Sequence, residues 1–396
     1  MTAKPGMTPH LFIHVQHLLG IGHMERAFAI ASACRDLGFA VTVATGRRSC
    51  ADEHPYQWVP LPDLRSADAG FSVLLDEAGA PATDSLWAER RDILLDGFQR
   101  AEPDLLLVEG FPFARRRFRF ELLPLISLAR QAGVPIVCSI RDILQPKNDP
   151  KRIEECLTWA NTCFDLILVH GDPSIARLED SFLAAGRLTT PIAYTGYVAK
   201  PDGPDDGAAG QDEVIVSAGG GAVGASLFDA ALAASRLPGA ERWHWRLLVG
   251  RNMDIDAAGL AAPAHVTIEP ARADFRAMLS RAAVSVSQAG YNTAVDLFAT
   301  GAPAVLCPFA DGGQKEQAMR ADRMASVIGA TVLSEGSVTA DSLFDAVRTQ
   351  ANRSRRSPAI DLAGADRTAR ILSLCHEGDT AAAIQTGLRG AERTNT

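Results

Sequence analysis

The chain has 396 residues, 47% hydrophobic and 22% charged, which is too long for one compact core and predicts a soluble globular protein of two domains. A net charge of −8 argues against general nucleic-acid binding, which requires a basic surface. No apolar run approaches the roughly 20 residues that span a bilayer, no signal-peptide pattern opens the chain, and seven irregularly spaced cysteines indicate reduced thiols, so a cytoplasmic location is expected.

Short β-branched runs alternate with amphipathic, helix-length stretches along the chain, a pattern typical of parallel α/β sheets. The first half predicts strands at Leu11–Val15, Ala40–Thr45, Leu105–Glu109, Ile136–Ser139 and Leu166–Val169. Helices are expected between them, most clearly over Met24–Leu37, which Gly38 ends. The second half predicts strands at Val214–Ser217, Trp245–Val249, Val284–Val286, Ala304–Cys307 and Thr331–Leu333. Both halves therefore predict Rossmann-like domains.

Residues 200–212 interrupt this alternation, because they combine prolines, glycines and aspartates without apolar periodicity. We interpret them as a linker between an amino-terminal domain at 8–199 and a carboxy-terminal domain at 213–352. The remaining residues, 353–396, become polar and predict a helix near Leu362–His376, followed by a mobile tail. Ligands of such open α/β sheets bind at the carboxyl ends of the strands.

Gly20, Gly22 and His23 follow the first predicted strand. The glycines allow a tight turn, and His23 begins the next helix, whose positive end disfavours a charged imidazole. A neutral His is able to accept the proton of a hydroxyl nucleophile; capping or loop packing is the alternative role. Glu109, which ends an apolar strand, is expected to orient His23 or to be the base itself. Capping of the next loop or pairing with an arginine is the alternative for Glu109.

The segment 111–120 interleaves aromatic residues with four arginines, two of which are Arg115 and Arg116. Arginine suits phosphate groups, and aromatic side chains suit an apolar chain. We therefore interpret this segment as the acceptor-binding side or as a contact with an anionic membrane surface. A solvated helix start with buried aromatic residues is the alternative.

A glycine-rich turn at Gly219, Gly220 and Gly221 follows a predicted strand and precedes a helix. The backbone N–H groups of such a turn are able to close on a diphosphate. The turn lacks the Gly-Lys-Ser/Thr ending of a nucleotide-hydrolysing P-loop and the spacing of a dinucleotide-binding fingerprint. It therefore predicts phosphate contact without phosphoryl transfer.

A second turn of small residues, which includes Gly290, Asn292 and Thr293, also connects a strand to a helix. Its N–H groups and the positive end of the helix favour a diphosphate. Asp296, one turn into that helix, is placed to accept hydrogen bonds from ribose hydroxyls. The next helix begins with a Glu-Gln pair, Glu316 and Gln317, which suits sugar hydroxyls.

These motifs, in this order, resemble the donor-binding half of GT-B glycosyltransferases. The run 289–293, Asp296 and the pair Glu316-Gln317 are similar to motifs of the peptidoglycan-pathway N-acetylglucosaminyltransferase and, more loosely, of plant and macrolide sugar transferases. The resemblance is closest to bacterial proteins described only as predicted glycosyltransferases, and it spans roughly residues 11–351. It implies an α/β GT-B fold, with two Rossmann-like domains facing across a cleft and a last helix that returns to the first domain.

The resemblance also implies inverting transfer of a hexosyl group from a UDP-sugar to a hydroxyl of an unidentified small-molecule or lipid-linked acceptor. His23 is then the proton acceptor, and Arg272 and Phe275 lie where relatives bind the uracil ring. No cofactor is expected, and no metal, because no Asp-x-Asp metal motif occurs in a convincing context. A UDP-sugar hydrolase is the strongest alternative, since the spacing Gly20–His23 with Arg26 also resembles that class. An epimerase of the same architecture and a non-catalytic nucleotide-sugar-binding protein are further alternatives.

Overall fold

The computed structural model of the chain describes residues 8–16, 18, 22–46, 55–66, 73–146, 149–200, 203, 205, 207, 209–218, 224–250, 262–309 and 315–392. The chain forms two compact units, one of Met1–Lys200 with Asp361–Thr396 and one of Pro201–Ile360. The chain passes from the first unit to the second within the predicted linker, 200–212, and returns to the first unit within 353–396. Among the described residues, no helix is long and apolar enough to cross a membrane.

The first unit is built on a parallel sheet with the strand order β3-β2-β1-β6-β7-β8-β9. A short antiparallel pair, β4 and β5, lies outside this sheet. The strands are β1 (His10–His14), β2 (Ala40–Thr45), β3 (Gln57–Pro60), β4 (Arg65–Ser66), β5 (Leu74–Leu75), β6 (Leu105–Glu109), β7 (Ile136–Arg141), β8 (Leu166–His170) and β9 (Ile192–Tyr194). The central strands are mostly apolar because both faces of the sheet are covered, and several of their polar residues, such as Glu109 and His170, stand at strand ends.

Helices cover both faces of this sheet. They are α1 (Gly22–Asp36), α2 (Asp84–Ala101), α3 (Arg119–Gln131), α4 (Pro150–Cys163) and the short α5 (Leu178–Ser181). Apolar side chains of α2, α3 and α4 form one core with the sheet, and those of α1 form the core on the other face. Local sequence sets the helix starts: Thr83 caps α2, and Asp149 caps α4 directly before Pro150.

The second unit repeats this design with a parallel sheet of order β12-β11-β10-β13-β14-β15. Its strands are β10 (Val214–Ser217), β11 (Trp245–Val249), β12 (Val266–Pro270), β13 (Val284–Ser287), β14 (Ala304–Leu306) and β15 (Thr331–Val332). Its described helices are α6 (Ala225–Ala234), α7 (Phe275–Arg281), α8 (Tyr291–Thr300), α9 (Glu316–Ile328) and α10 (Ala340–Ala351).

The end of the chain returns to the first unit as two helices, α11 (Gly364–His376) and α12 (Thr380–Glu392). Apolar residues of both helices join the core that α1 forms with the sheet. The tail expected after His376 is therefore a helix over residues 380–392. The polar composition of this segment suggests a mobile tail, but Ala383 is fully buried and Ile384 packs on the core, which fixes the helix in place. A side chain at Gly387 would collide with Ala193, so a small residue lets α12 lie close to β9.

In both sheets the strand order reverses beside the first strand of the unit, between β1 and β6 and between β10 and β13. The chain leaves the two strands at such a point toward opposite faces of the sheet, which opens a crevice at their carboxyl ends. Each unit therefore has one favoured ligand position, and the residues that follow these four strands are the ones that reach it.

Candidate active site

His23 and Glu109 lie at the strand-order reversal of the first unit. His23 is the second residue of α1, which follows β1, and Glu109 is the last residue of β6. Nδ1 of His23 lies 2.9 Å from Oε1 of Glu109. The side chain of Glu109 is 2% exposed and that of His23 is 19% exposed, so the imidazole is the part of the pair that solvent reaches. Gly22 opens α1, whereas Gly20 lies outside the described residues.

Arg26 completes this buried cluster with an ion pair to Oε1 of Glu109. Burial alone raises the pKa of a carboxyl group, but the charge of Arg26 and the hydrogen bonds of His23 and Ser139 hold the pKa of Glu109 well below its ordinary value. Glu109 is therefore ionised and only accepts hydrogen bonds. Nδ1 of His23 lies 2.9 Å from this acceptor and 3.3 Å from Nη2 of Arg26, which only donates. The shorter contact, to a charged acceptor, places the hydrogen on Nδ1.

The imidazole of His23 is neutral. Burial, together with the positive charges of Arg115 and Arg26, lowers the pKa of His23 to about 3, although its contact with Glu109 acts in the opposite direction. With the hydrogen on Nδ1, Nε2 holds the lone pair. This tautomer is the one that a general base requires.

The two predicted acceptor-side arginines differ in position. Arg115 has a left-handed backbone, with a φ of 57°, and its Nε donates to the backbone oxygen of Gln16 at 3.0 Å. This side chain therefore lies against the loop that joins β1 to α1, near enough to influence His23. Arg116 instead forms an ion pair with Glu155 of α4 and is 39% exposed. The structure groups Arg115, and not Arg116, with His23.

The anion-binding turn predicted at Gly290 precedes α8 in the second unit. Asn292 and Thr293 lie in the first turn of α8, whose N–H groups have no acceptor within the helix. β13, which leads into this turn, borders the strand-order reversal on one side. β10 borders it on the other side, and the glycine-rich turn that follows β10, Gly219, Gly220 and Gly221, lies outside the described residues.

Asp296, the predicted ribose ligand, is held by an arginine that sequence reasoning missed. Nε and Nη2 of Arg276 each lie 2.9 Å from Oδ1 of Asp296. The carboxylate is 12% exposed, so the ion pair is partly buried. Arg276 is the second residue of α7, next to Phe275. The sequence signal that could have identified Arg276 is its position next to Phe275, where the nucleotide base is predicted to bind. Any ribose contact by Asp296 is shared with this arginine.

The Glu316-Gln317 pair opens α9, as the sequence predicts for sugar-binding residues. Oε1 of Gln317 accepts hydrogen bonds from the backbone nitrogens of Ala289 at 3.2 Å and Phe309 at 3.1 Å. The side chain therefore ties together the loops that follow β13 and β14. Glu316 is 8% exposed at the helix start. The oxygen of Gln317 is therefore committed to the protein.

The predicted base-binding residues lie at the start of α7. Arg272 forms a two-pronged ion pair with Asp274, with distances of 2.8 and 2.7 Å. Phe275 is the first residue of the helix and is half-buried. Nη1 of Arg272 also lies 3.7 Å from Oε1 of Glu269, so the guanidinium is held between two carboxylates of its own segment.

Comparison with known proteins agrees with the architecture. Residues 220–366 match the glycosyltransferase family 28 C-terminal domain. No curated protein matches the chain. Among solved structures, the calicheamicin glycosyltransferase CalG4 is 16% identical with a TM-score of 0.60, and the alignment covers 98% of each chain. MurG of Acinetobacter baumannii is 13% identical with a TM-score of 0.55, over 96% of this chain and 100% of that one.

A third similar structure is the spinosyn rhamnosyltransferase SpnG complexed with thymidine diphosphate. It is 18% identical with a TM-score of 0.59, over 94% of this chain and 96% of that one. These likenesses confirm the GT-B fold that the sequence predicts. The match to a glycosyltransferase domain in the second unit identifies the chain as an enzyme of the glycosyltransferase class.

Proposed function

We propose that the chain transfers a hexosyl group, with inversion and without a metal or cofactor, from a UDP-sugar to a hydroxyl acceptor. The observation that carries this proposal is the His23–Glu109 pair, which lies at a strand-order reversal and leaves Nε2 of a neutral imidazole as proton acceptor. The spinosyn rhamnosyltransferase is complexed with a nucleoside diphosphate, which supports a donor of that class.

In the proposed reaction His23 removes the proton of the acceptor hydroxyl as its oxygen attacks the anomeric carbon. The bond from that carbon to the diphosphate oxygen breaks on the opposite face, so the product has the inverted configuration. The ionised Glu109 stabilises the imidazolium that forms. A base works best when its pKa is near the working pH. An anionic group bound beside His23 would raise the pKa of this imidazole toward that range.

The donor is assigned to the second unit. The first turn of α8, with Gly290, Asn292 and Thr293, offers N–H groups to the diphosphate, and the positive end of the helix favours the charge that develops on it. The glycine-rich turn 219–221 is proposed as a further phosphate contact. Backbone donors of this kind neutralise a leaving diphosphate without a divalent cation.

Two further donor contacts complete this assignment. Asp296, oriented by Arg276, is proposed to bind the ribose. Glu316 and the amide nitrogen of Gln317 are proposed to bind sugar hydroxyls. The nucleotide base is assigned to the segment 272–275 at the start of α7, where Phe275 supplies an apolar surface.

The acceptor is assigned to the first unit, with Arg115 beside His23. Both a small molecule and a lipid-linked sugar are compatible with this assignment. If the acceptor is lipid-linked, we propose that the enzyme is cytoplasmic and contacts the membrane peripherally. Phe120 supports such contact because it is 53% exposed and the guanidinium of Arg119 lies 4.1 Å from its ring centre. Unchanged sedimentation with anionic vesicles after Arg119→Ala and Phe120→Ala together would contradict membrane contact.

Donor binding and turnover test the proposed function. We expect UDP-sugars to raise the melting temperature more than dTDP-sugars do, since a ligand that binds the native state stabilises it. We expect transfer to a panel of sugar, phenol and polyprenyl-phosphate-linked acceptors in the presence of EDTA, with an inverted product by proton NMR. Free sugar released equally fast with and without acceptor would indicate the hydrolase instead. Binding without any turnover would indicate a non-catalytic protein.

A further inference from the structure

A continuous line of hydrogen bonds extends from the His23–Glu109 pair into the interior of the first unit. Oγ of Ser139 lies 2.5 Å from Oε2 of Glu109 and 2.8 Å from Nε2 of His170. Nδ1 of His170 lies 2.8 Å from Oγ1 of Thr195. Ser139, His170 and Thr195 are fully buried. None of these three residues has a role in the reaction proposed above.

Sheet register places these residues in line. Glu109, at the end of β6, is directly opposite Ser139 in β7, and β8 ends at His170. Thr195 follows β9, the next strand of the sheet. One residue from the carboxyl-terminal part of each of four neighbouring strands, or just beyond it, therefore contributes to the line. Glu109, Ser139 and His170 stand on strands and not on loops, so their positions are as well fixed as the sheet itself.

The charge of Glu109 decides the direction of the two bonds nearest to it. Because the carboxylate only accepts, Ser139 donates to it, and the Ser139 oxygen then accepts from the Nε2–H of His170. Burial and the charge of Arg26 lower the pKa of His170 to about 3, so this imidazole is neutral and its Nδ1 is an acceptor. The single hydroxyl hydrogen of Thr195 faces two acceptors, this nitrogen at 2.8 Å and the backbone oxygen of Gly196 at 2.9 Å. The donors of Ser139 and His170 thus point toward Glu109.

The line gives the two carboxylate oxygens of Glu109 different partners. Oε1 receives Arg26 and His23, and Oε2 receives Ser139. Rotation of the carboxylate about its terminal torsion would break both sets of bonds together. Without Ser139, Oε2 would be a buried charged atom that lacks this donor, which favours rotation toward another one. The orientation of Oε1 toward Nδ1 of His23 therefore depends on a bond made on the other side of the carboxylate.

We propose that Ser139 and His170 are positioning residues that hold the carboxylate of Glu109, and through it keep the hydrogen of His23 on Nδ1 and the lone pair on Nε2. The proposal rests on the proposed function in so far as His23 is the base. Neither residue touches the substrate. Thr195 is the outermost member of the line and contributes least.

The kinetic test compares variants that remove or keep a donor. We expect Ser139→Ala to lower kcat for UDP release from UDP-glucose about 10- to 100-fold, the range for a hydrogen bond to a charged group, with KM within about threefold. His170→Gln keeps an N–H near the position of Nε2, so kcat should stay within about threefold of the parent. His170→Leu removes it, and kcat should fall about tenfold.

Two isosteric substitutions serve as a matched pair. Thr195→Val removes the last hydroxyl of the line and should lower kcat about two- to fivefold. Thr190→Val removes a buried hydroxyl of the same unit that bonds only backbone oxygens of Ala160 and Phe164, and it should leave kcat unchanged. An equal loss in Thr190→Val and Thr195→Val would overturn the proposal, because it would reflect packing alone.

A second readout does not require turnover. Nitrogen-15 NMR of the imidazoles in the full chain, with His23→Gln and His170→Gln used for assignment, should show Nδ1–H for His23 and Nε2–H for His170 at pH 7. Ser139→Ala and His170→Leu should give a mixture of both tautomers at His23, and Thr190→Val should not. If the His23 tautomer is unchanged in both Ser139→Ala and His170→Leu, the proposal is overturned, whatever the kcat values of these variants. If the parent chain turns over no nucleotide sugar, the proposed function fails and these spectra alone decide the role of Ser139 and His170.

Discussion

The two units share a strand order but carry different chemistry where that order reverses. In the first unit a partly exposed imidazole, a buried carboxylate and a buried guanidinium meet there, from His23, Glu109 and Arg26. In the second unit the strand β13 leads into a turn of small residues and the open start of α8. In the reaction proposed above, the same backbone geometry serves proton transfer where titratable groups end the strands, and anion binding where small residues do.

This difference predicts how the two regions respond to substitution. Groups that handle a proton act mainly in the transition state, so their loss lowers kcat. Groups that hold the donor in both ground and transition states change affinity. Variants of the first unit should therefore alter rate with little change in donor binding, and variants of the second unit should do the reverse.

The largest expected effect is that of His23→Ala. Loss of a general base lowers kcat by about 10²- to 10⁴-fold, while the Kd of UDP should stay within about twofold. Steady-state kinetics and titration calorimetry measure the two quantities. His10→Ala is the matched control, because His10 is a half-buried histidine of the same unit at the opposite end of β1, where it bonds Thr42. A His23→Ala enzyme as active as the control would remove His23 from the mechanism.

The second-largest expected effect is on the affinity for the donor nucleotide. Asp296→Ala should weaken UDP binding about 10- to 100-fold, as expected for the loss of hydrogen bonds to a charged group, with little change in kcat at saturating donor. Asp345→Ala is the control, since Asp345 forms an exposed ion pair with Arg348 in α10 of the same unit. Calorimetry that gives the same Kd for both variants would show that Asp296 pairs with Arg276 and does not bind ribose.

A third prediction follows from two neutral imidazoles of the first unit, those of His23 and His170. The pKa values of His23 and His170 are each lowered to about 3 in the folded chain, against an ordinary value of 6.5. Between these values the unfolded chain binds more protons, so the free energy of unfolding falls as pH falls below about 6.5. The slope is at most about 1.4 kcal/mol per pH unit for each imidazole.

Urea unfolding at pH 7, 6 and 5 measures this slope. Glu109 acts in the same direction only below its ordinary pKa, near 4.5, and so adds little in this range. Replacing both histidines by glutamine should flatten the slope, because glutamine does not titrate. A double variant with the parent slope would mean that other groups carry the acid sensitivity.

The sequence predicted the central strands well and the edges of the sheets poorly. β2, β6, β10 and β11 have the bounds expected from their apolar runs, because strands covered on both faces are mostly apolar. Three of the four edge strands of the described parallel sheets, β3, β9 and β12, were not predicted, whereas the fourth, β15, was expected at Thr331–Leu333 and covers Thr331–Val332. The first three are short or partly exposed, and their conformation comes from pairing with β2, β8 and β11 rather than from a local pattern.

The candidate site divides in the same way. His23 and Glu109 were predicted because each stands at the end of a strand or the start of a helix, a position that local pattern reveals. Arg26 and Ser139 were not assigned to Glu109, because the contacts join residues 83 and 30 positions apart and exist only once β1, β6 and β7 are side by side. Residue type and local spacing locate a site, whereas its charge state depends on such long-range contacts.

The smallest expected effect separates the structural and binding roles of Gln317. Its oxygen accepts from two backbone nitrogens of different loops, so Gln317→Leu leaves both without this partner. We expect the free energy of unfolding to fall by about 1–3 kcal/mol and both UDP and UDP-glucose to bind about three- to tenfold more weakly. Gln317→Glu keeps an acceptor for both nitrogens and loses only the amide donor. It should bind UDP normally and UDP-glucose about threefold more weakly. Equal affinity of Gln317→Glu and the parent chain for UDP-glucose would mean that this residue ties the two loops together without contacting the sugar.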